Sequence, residues 1–339
     1  GVELSKEDRY YIESLMKNNI EWVPEELREN LLSKRPLLNT LYEYPAGFYE
    51  THGRDFDLSI NPIINFGVMK ESNNDQRLFY NTRGAIVRGR IAKRIGFVAS
   101  VTDNQERDPS YVQQWISDRQ AVPGEGYFKE FKAAGGVDYF DAKGYITFGA
   151  TKYVDIAFGY DKNFIGNGQR SLFLSDFSNN TLFLKLNTKI WKFNYQNLFM
   201  ELHNAYQRGA DALLEKKYAA MHHLDLSLTK WLNVGFFEGV IFGRSKQFEL
   251  GYLVPVIFLR SAERNAGSKD NSVVGLDFKA NMFKTAQLYG QLLLDEFKLS
   301  EMKSNTGWWA NKYGFQLGLK YIDALKIKNL DLQLEWNRV

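Results

Sequence analysis

From residue 54 onward the chain changes chemical character with every step. In 312–321, Tyr313, Phe315, Leu317, Leu319 and Tyr321 alternate with Lys312, Gly314, Gln316, Gly318 and Lys320. The same pattern sets Leu330, Leu332, Leu334 and Trp336 against Asn329, Asp331, Gln333 and Glu335, and Val274, Leu276, Phe278, Ala280 and Met282 against Gly275, Asp277, Lys279 and Asn281. Successive side chains of a strand point to opposite faces, so a period of two yields one apolar and one polar face. Thirteen strands are expected, near 54–69, 77–91, 95–103, 138–150, 154–163, 180–188, 192–204, 218–228, 232–244, 272–282, 286–298, 311–321 and 328–338. Several exceed the usual strand length and match the roughly 9 to 11 residues with which a tilted strand crosses a bilayer.

The connections fall into two kinds. Short turns at 92–94, 151–153, 189–191, 229–231 and 283–285, and a slightly longer one around Lys326, alternate with long loops at 104–137, 164–179, 205–217, 245–271 and 299–310. A barrel inserted from the periplasm has tight turns on one side and long loops on the other. Each short turn also carries a Lys, usually beside an aromatic, as an interfacial anchor would. The expected fold is therefore all-β: an antiparallel transmembrane outer-membrane β-barrel over 54–339, preceded by a helical region and linker over 1–53 at the periplasmic end. An odd strand count would leave two unpaired edges in lipid. Further strands beyond the thirteenth are accordingly expected. The competing reading is a soluble β-sandwich, whose apolar face would be buried by a second sheet.

Composition fits the barrel. The chain has 25 Phe, 19 Tyr and 7 Trp at a mean hydropathy of −0.39, which suits a polar interior with aromatic girdles. A net charge of +3 gives no field to gather nucleic acid, so none is expected as a partner. The absence of cysteine removes disulfides, thiolate metal sites and cysteine nucleophiles. The longest purely apolar run, 253–259, contains Pro255 and falls far short of the roughly 20 residues of a helical span. The chain opens at Gly1 without a secretory signal, as expected after processing.

Residues 5–35 read as two short helices. Ser5 stands before Lys6-Glu7-Asp8 as an N-cap, and Pro24-Glu25-Glu26 marks a second start. Their apolar stripe of Leu15, Ile20, Leu27, Leu31 and Leu32 needs cover, either from the barrel's own end or from a periplasmic partner. Tyr111, Val112, Trp115 and Ile116 indicate another short amphipathic helix.

The segment 159–176, Gly-Tyr-Asp-Lys-Asn-Phe-Ile-Gly-Asn-Gly-Gln-Arg-Ser-Leu-Phe-Leu-Ser-Asp, stands apart. Read as a surface loop, Asp161, Asn163, Gln169 and Arg170 would meet glycan hydroxyls or a partner, while Tyr160 or Phe164 would stack on sugar rings. Read otherwise, the loop folds into the interior and is held by arginine–carboxylate pairs. Gly166-x-Gly168 lacks the Gly-Lys-Ser/Thr of a phosphate loop. Inward-facing charges of both signs, Lys143, Lys185, Asp155, Asp225, Asp277, Lys279, Lys312, Lys320 and Glu335, fit a lumen laced with ion pairs better than a pore of one sign. His222 and His223 point to opposite faces and cannot share a metal; His223 with Asp225 is the one candidate for a catalytic pair. No catalytic residue, metal or cofactor is expected.

The same segment, with Arg170-Ser171-Leu172 and Leu174-Ser175, resembles the Wzi-type capsule-assembly barrels, and more closely the gliding-motility branch of the Bacteroidota known as RemB. Phe248–Phe258 with Arg260 and Glu263, Lys269-Asp270-Asn271 before Gly275-Leu276-Asp277-Phe278, and Tyr289-Gly290-Gln291 through Asp295-Glu296-Phe297 add to the likeness over about residues 40–339. The resemblance implies an 18-stranded outer-membrane barrel that works at the cell surface, without catalysis, by binding or organising capsular polysaccharide and supporting gliding or adhesion. Its implied partners are outer-membrane lipid, exopolysaccharide and other envelope proteins of a motility or secretion assembly. Alternatives left open are a small-solute channel, a structural subunit of such an assembly and, last, an envelope hydrolase built on His223.

Overall fold

The computed structural model describes residues 6–38, 40–132, 135–206, 214–243, 247–255, 258–267, 270–295 and 312–339. Ser5, the loop 299–310, residues 296–298 and 311 of two expected strands, and Val256, Ile257, Lys269, Glu296 and Phe297 of the resemblance blocks lie outside them.

The chain begins with α1 (Lys6–Asn18), a 3₁₀ turn at Ile20–Trp22, α2 (Glu25–Arg28) and a 3₁₀ turn at Glu29–Leu31. It continues through β1 (Tyr49–His52), β2 (Phe56–Met69), β3 (Leu78–Ile91), β4 (Ile95–Arg107), α3 (Ser110–Arg119), β5 (Lys129–Phe131), β6 (Gly136–Gly149), β7 (Val154–Asp161), β8 (Thr181–Ile190), β9 (Phe193–His203), β10 (Lys216–Ser227) and β11 (Leu232–Phe242). A 3₁₀ turn at Leu250–Leu253, α4 (Leu259–Ala266), β12 (Asn271–Met282), β13 (Ala286–Asp295), β14 (Lys312–Tyr321), a 3₁₀ turn at Ala324–Lys326 and β15 (Leu332–Arg338) complete it.

All strands join one antiparallel meander in chain order, except that β4 pairs β6 and the short β5 adds to β6. The expected thirteen strands are present, and β1 and β5 raise the count to fifteen. These two have only 4 and 3 residues, too short a run for a period of two to show. Among the described residues the edge strands β1 and β15 do not pair with each other.

Register turns the alternation into two surfaces. On one, the rows Ser59–Arg88–Val98–Tyr145 and Asp277–Gln291–Gln316–Asn337 run across neighbouring strands. On the other lie Ile64, Phe66, Val68, Phe140, Ile146, Leu276, Leu317 and Leu334, all exposed, with Phe66 at 66% and Leu334 at 73%. A row of bare large apolar side chains along strands of 7 to 14 residues is the surface of a sheet that lipid covers. Trp191, Trp231 and Phe283, exposed at three short turns, form an aromatic girdle at that rim. The chain is an all-β protein whose sheet presents an apolar surface to lipid. No helix among the described residues is long and apolar enough to cross a membrane.

In the upper halves of β9, β10 and β11 the rule inverts. Leu198, Met200, Ala219, Met221 and Phe237 face inward and are buried, whereas Asn197, His222 and Glu238 face outward and are buried as well. Two connections account for this. Residues 163–174 pack on the inner surface, where Ile165 and Phe173 join that apolar group. The β11–β12 connection packs on the outer surface, where Tyr252 and Leu259 cover Phe199, Tyr218, Ala220, Val240 and Phe242. Neither stands free as a long surface loop; the first takes the interior placement weighed from the sequence, and the second lies flat on the outer surface.

Candidate functional site

The β7–β8 connection shapes the interior. It leaves β7 at Asp161 and reaches β15, eight places along the sheet order, so the sheet curls around it. Gln169 and Arg170 donate their backbone N–H groups to Glu335 at 2.7 and 3.1 Å, and Gln316 donates to the Arg170 carbonyl at 2.9 Å. Leu172 N–H donates to Gln291 at 2.8 Å, and Asn167 donates to Asp277 at 3.3 Å. Ser171 donates to the Ile165 carbonyl and pins the loop on itself. Phe173 then stacks on Phe237 at 4.5 Å, in a space that Gly275 leaves open, since a Cβ there would strike the ring. Polar anchors on β12–β15 and an apolar plug on β8–β11 thus fix the loop within the interior.

The opposite side stays open. A cavity of about 740 Å³ runs along β3, β4, β6 and β7, with Arg88, Ser100, Lys143, Thr147, Asp155 and Asp161 among its lining. A second space of about 390 Å³ adjoins Thr147 and Asp155 and adds Lys185, Asn187 and Gln196. The charges are of both signs: Lys143 lies 3.5 Å from Asp141 and 4.0 Å from Asp161.

The amino-terminal region crosses the short-turn end of this space. Trp22 stacks under Arg90 at 5.5 Å and fills the room left by Gly96. Arg28 and Arg90 hold Asp57 at 2.8 and 2.5 Å, His52 adds a third contact at 2.8 Å, and Glu21 lies 3.7 Å from Arg88. Burial pushes the Glu21 carboxyl above the usual carboxylate range, with Arg88 pulling the other way. At its other end α1 is tied to the β14–β15 turn, Lys6 to Asp323 and Tyr10 to Asp331, each at 2.5 Å. The Lys6 contact holds the Asp323 carboxyl below its ordinary range.

The residues singled out in the sequence do not converge. Tyr160 faces outward, Asp161 faces inward beside Lys143, and Asn163 is 5% exposed with no bond to its amide among the described residues. Phe164 is half-buried. Gln169 and Arg170 meet on Glu335 through their backbones, while the Arg170 side chain lies exposed near Asp176 and Phe177. The pairing of His223 with Asp225 is corrected: His223 bonds Asp277 across two strands at 2.9 Å, and Asp225 accepts from Asn233. Gln291 and Gln316, which anchor the loop, carry no local signal, because their partners lie 119 and 146 residues away.

No family model matches the chain, and no curated protein matches it. Solved structures that match include Pseudomonas aeruginosa OccK5 (OpdH), 12% identical over 85% of this chain and 74% of that one, with a TM-score of 0.44. Pseudomonas aeruginosa OccK3 (OpdO) is 12% identical over 84% and 74%, with a TM-score of 0.41. An anion-selective porin from Comamonas acidovorans is 10% identical over 84% and 90%, with a TM-score of 0.35. The likeness extends to general architecture alone.

The expected Wzi-type kinship and its RemB branch are corrected. Neither sequence comparison returns a relative of that kind, and the matched structures are outer-membrane porins. The block that carried the resemblance is an interior loop, in which Ser171 closes the chain on itself and Gly166 lies close against Ser171 and Gln291. Capsular polysaccharide binding and gliding motility rested on that kinship and fall with it.

Proposed function

We propose that the chain is a passive, non-enzymatic channel that admits small polar solutes across the outer membrane. The observation that carries this reading is the asymmetry of the interior. The β7–β8 loop covers the β12–β15 wall and the long-loop halves of β8–β11, whereas the polar short-turn halves of β3–β9 border unfilled space. A cavity of about 740 Å³ is within the size range of small-molecule sites. Charges of both signs along it substitute for the hydration of a polar or zwitterionic solute without trapping one sign. His223 serves structure instead of catalysis, since Asp277 occupies its Nε2 and Phe173 lies over it at 6.2 Å.

In this scheme the loop sets the width and the amino-terminal region obstructs the periplasmic end. Planar-bilayer conductance and liposome swelling test it, with intact protein compared with a variant lacking residues 1–35. Currents from the intact protein that rise on deletion support the channel. Silence from both, with the fold intact by circular dichroism, refutes it.

A further inference from the structure

The outward-packed β11–β12 connection places cations where a lipid barrel has little other use for them. From Tyr252, whose hydroxyl donates to Asp270 at 2.6 Å near the cell-surface ends of β11 and β12, the segment descends to Pro255. There Asn197, midway along β9, donates to the Pro255 carbonyl at 3.0 Å. The chain returns through Leu259, whose N–H donates to Glu238 at 3.0 Å, and climbs α4 to Glu263, which accepts from Ser272 at 2.9 Å. His222 completes the clip by bonding Glu238 at 2.8 Å. Irregular backbone is tolerated at membrane depth only where protein satisfies it. The outward polar row Asn197–His222–Glu238 does so, which explains why it interrupts an apolar surface.

The outer side of this hairpin is ordered by depth. Phe258, 64% exposed, packs edge-on against Phe236, and Leu253 is exposed above the same wall. Arg260 and Arg264 are exposed one helical turn apart on α4. Ser272 is level with Val240, two residues below the end of β11, or about 5 Å at roughly 2.5 Å of depth per tilted residue. Arg264 therefore lies near the outer rim. Arg260 starts lower and reaches upward, its guanidinium 3.3 Å from Glu263, as a snorkelling side chain does. Arg264 makes no ion pair among the described residues.

We propose that Arg260 and Arg264 bind the phosphate groups of an outer-leaflet lipid, with Phe258 and Leu253 against its acyl chains. Cations above apolar side chains on one lipid-facing surface match the order of phosphate above hydrocarbon in such a lipid, and guanidinium groups suit phosphate oxygens.

The test titrates the full-length protein in dodecyl maltoside with bisphosphorylated lipid A, dephosphorylated lipid A or inorganic phosphate, and reads bound species by native mass spectrometry. The bisphosphorylated lipid should bind roughly tenfold tighter than the dephosphorylated one, the effect of one charge-assisted bond. R260Q/R264Q should lose that preference, whereas R83Q, elsewhere on the outward surface, should keep it. Equal binding of the two lipids, or a double variant that keeps the preference, overturns the proposal. So does displacement of the lipid by inorganic phosphate, which would mark a bare anion site. Stable dimers that R260Q/R264Q disperses would overturn it too, by identifying a protein interface.

Discussion

Replacing Glu335 with Ala should release the β7–β8 loop from its distal anchor. The carboxylate accepts four bonds: from Gln169 and Arg170 of the loop, from Tyr289 at 2.8 Å and from Asn337 at 3.0 Å. The last two orient it; the first two hold the loop. A hydrogen bond to a buried charged acceptor is worth about 1.5 to 3 kcal/mol, and the half-exposed position reduces this to about 1 kcal/mol for each loop bond. Losing both costs loop docking about 2 kcal/mol, a shift of roughly 30-fold in the population with the loop displaced. Single-channel recording should show high-conductance openings more frequent by that order in E335A, and by less in E335Q, which retains one acceptor oxygen. The reasoning is refuted if E335A, folded by its heat-modifiable gel mobility, gives traces indistinguishable from the parent protein.

Three further outcomes follow from the same geometry. Phe173→Ala removes a ring stacked at 4.5 Å on Phe237 and should lower loop stability by about 3 kcal/mol, seen as faster proteolysis within 162–180. Glu238→Ala leaves His222 and the Leu259 N–H without their acceptor and should cost about 3 kcal/mol, seen as rapid tryptic cleavage at Arg260 and Arg264. Glu21 has its carboxyl raised by burial, so its contribution to docking of the amino-terminal region is fully present below about pH 4.5 and is lost as pH rises through the raised value. Current through the intact protein should grow from pH 4.5 towards 7, while Glu21→Gln, with Arg88, Glu50 and Asp57 unchanged around it, should flatten that dependence.

Strand positions were legible because lipid and lumen impose opposite demands on alternate residues, as in Tyr313 to Tyr321. The two missed strands are too short to express a period. What the sequence left open is where each connection packs and which residues hold it there. The apolar residues Ile165, Leu172 and Phe173 were visible in a loop, and so was the apolar stretch before Leu259. Their destinations depend on residues on distant strands, Phe237 and Gln291 for one, Asn197 and Glu238 for the other. A trace did exist: His222 on the lipid-facing row and Met221 on the inner row break the alternation of β10. Such paired inversions mark a strand covered on both faces by its own loops. The six residues named as glycan or partner contacts do not share one surface for a related reason. Tyr160 and Asp161 are neighbours in a strand and necessarily face apart, and the loop beyond them spends its polar groups on its own anchoring.

The amino-terminal region, tied on two sides below the cavity, acts as a brace. Lys6 and Tyr10 of α1 hold the turn between β14 and β15, while Glu21, Trp22 and Arg28 beyond it hold Arg88, Arg90 and Asp57 on β2 and β3. Strands near the two ends of the sheet order are thereby linked through α1, about 20 Å long, and the short helical turns that follow it. Spreading them apart would have to break the contacts on one side or unwind α1, which leaves the loop as the part free to vary the interior.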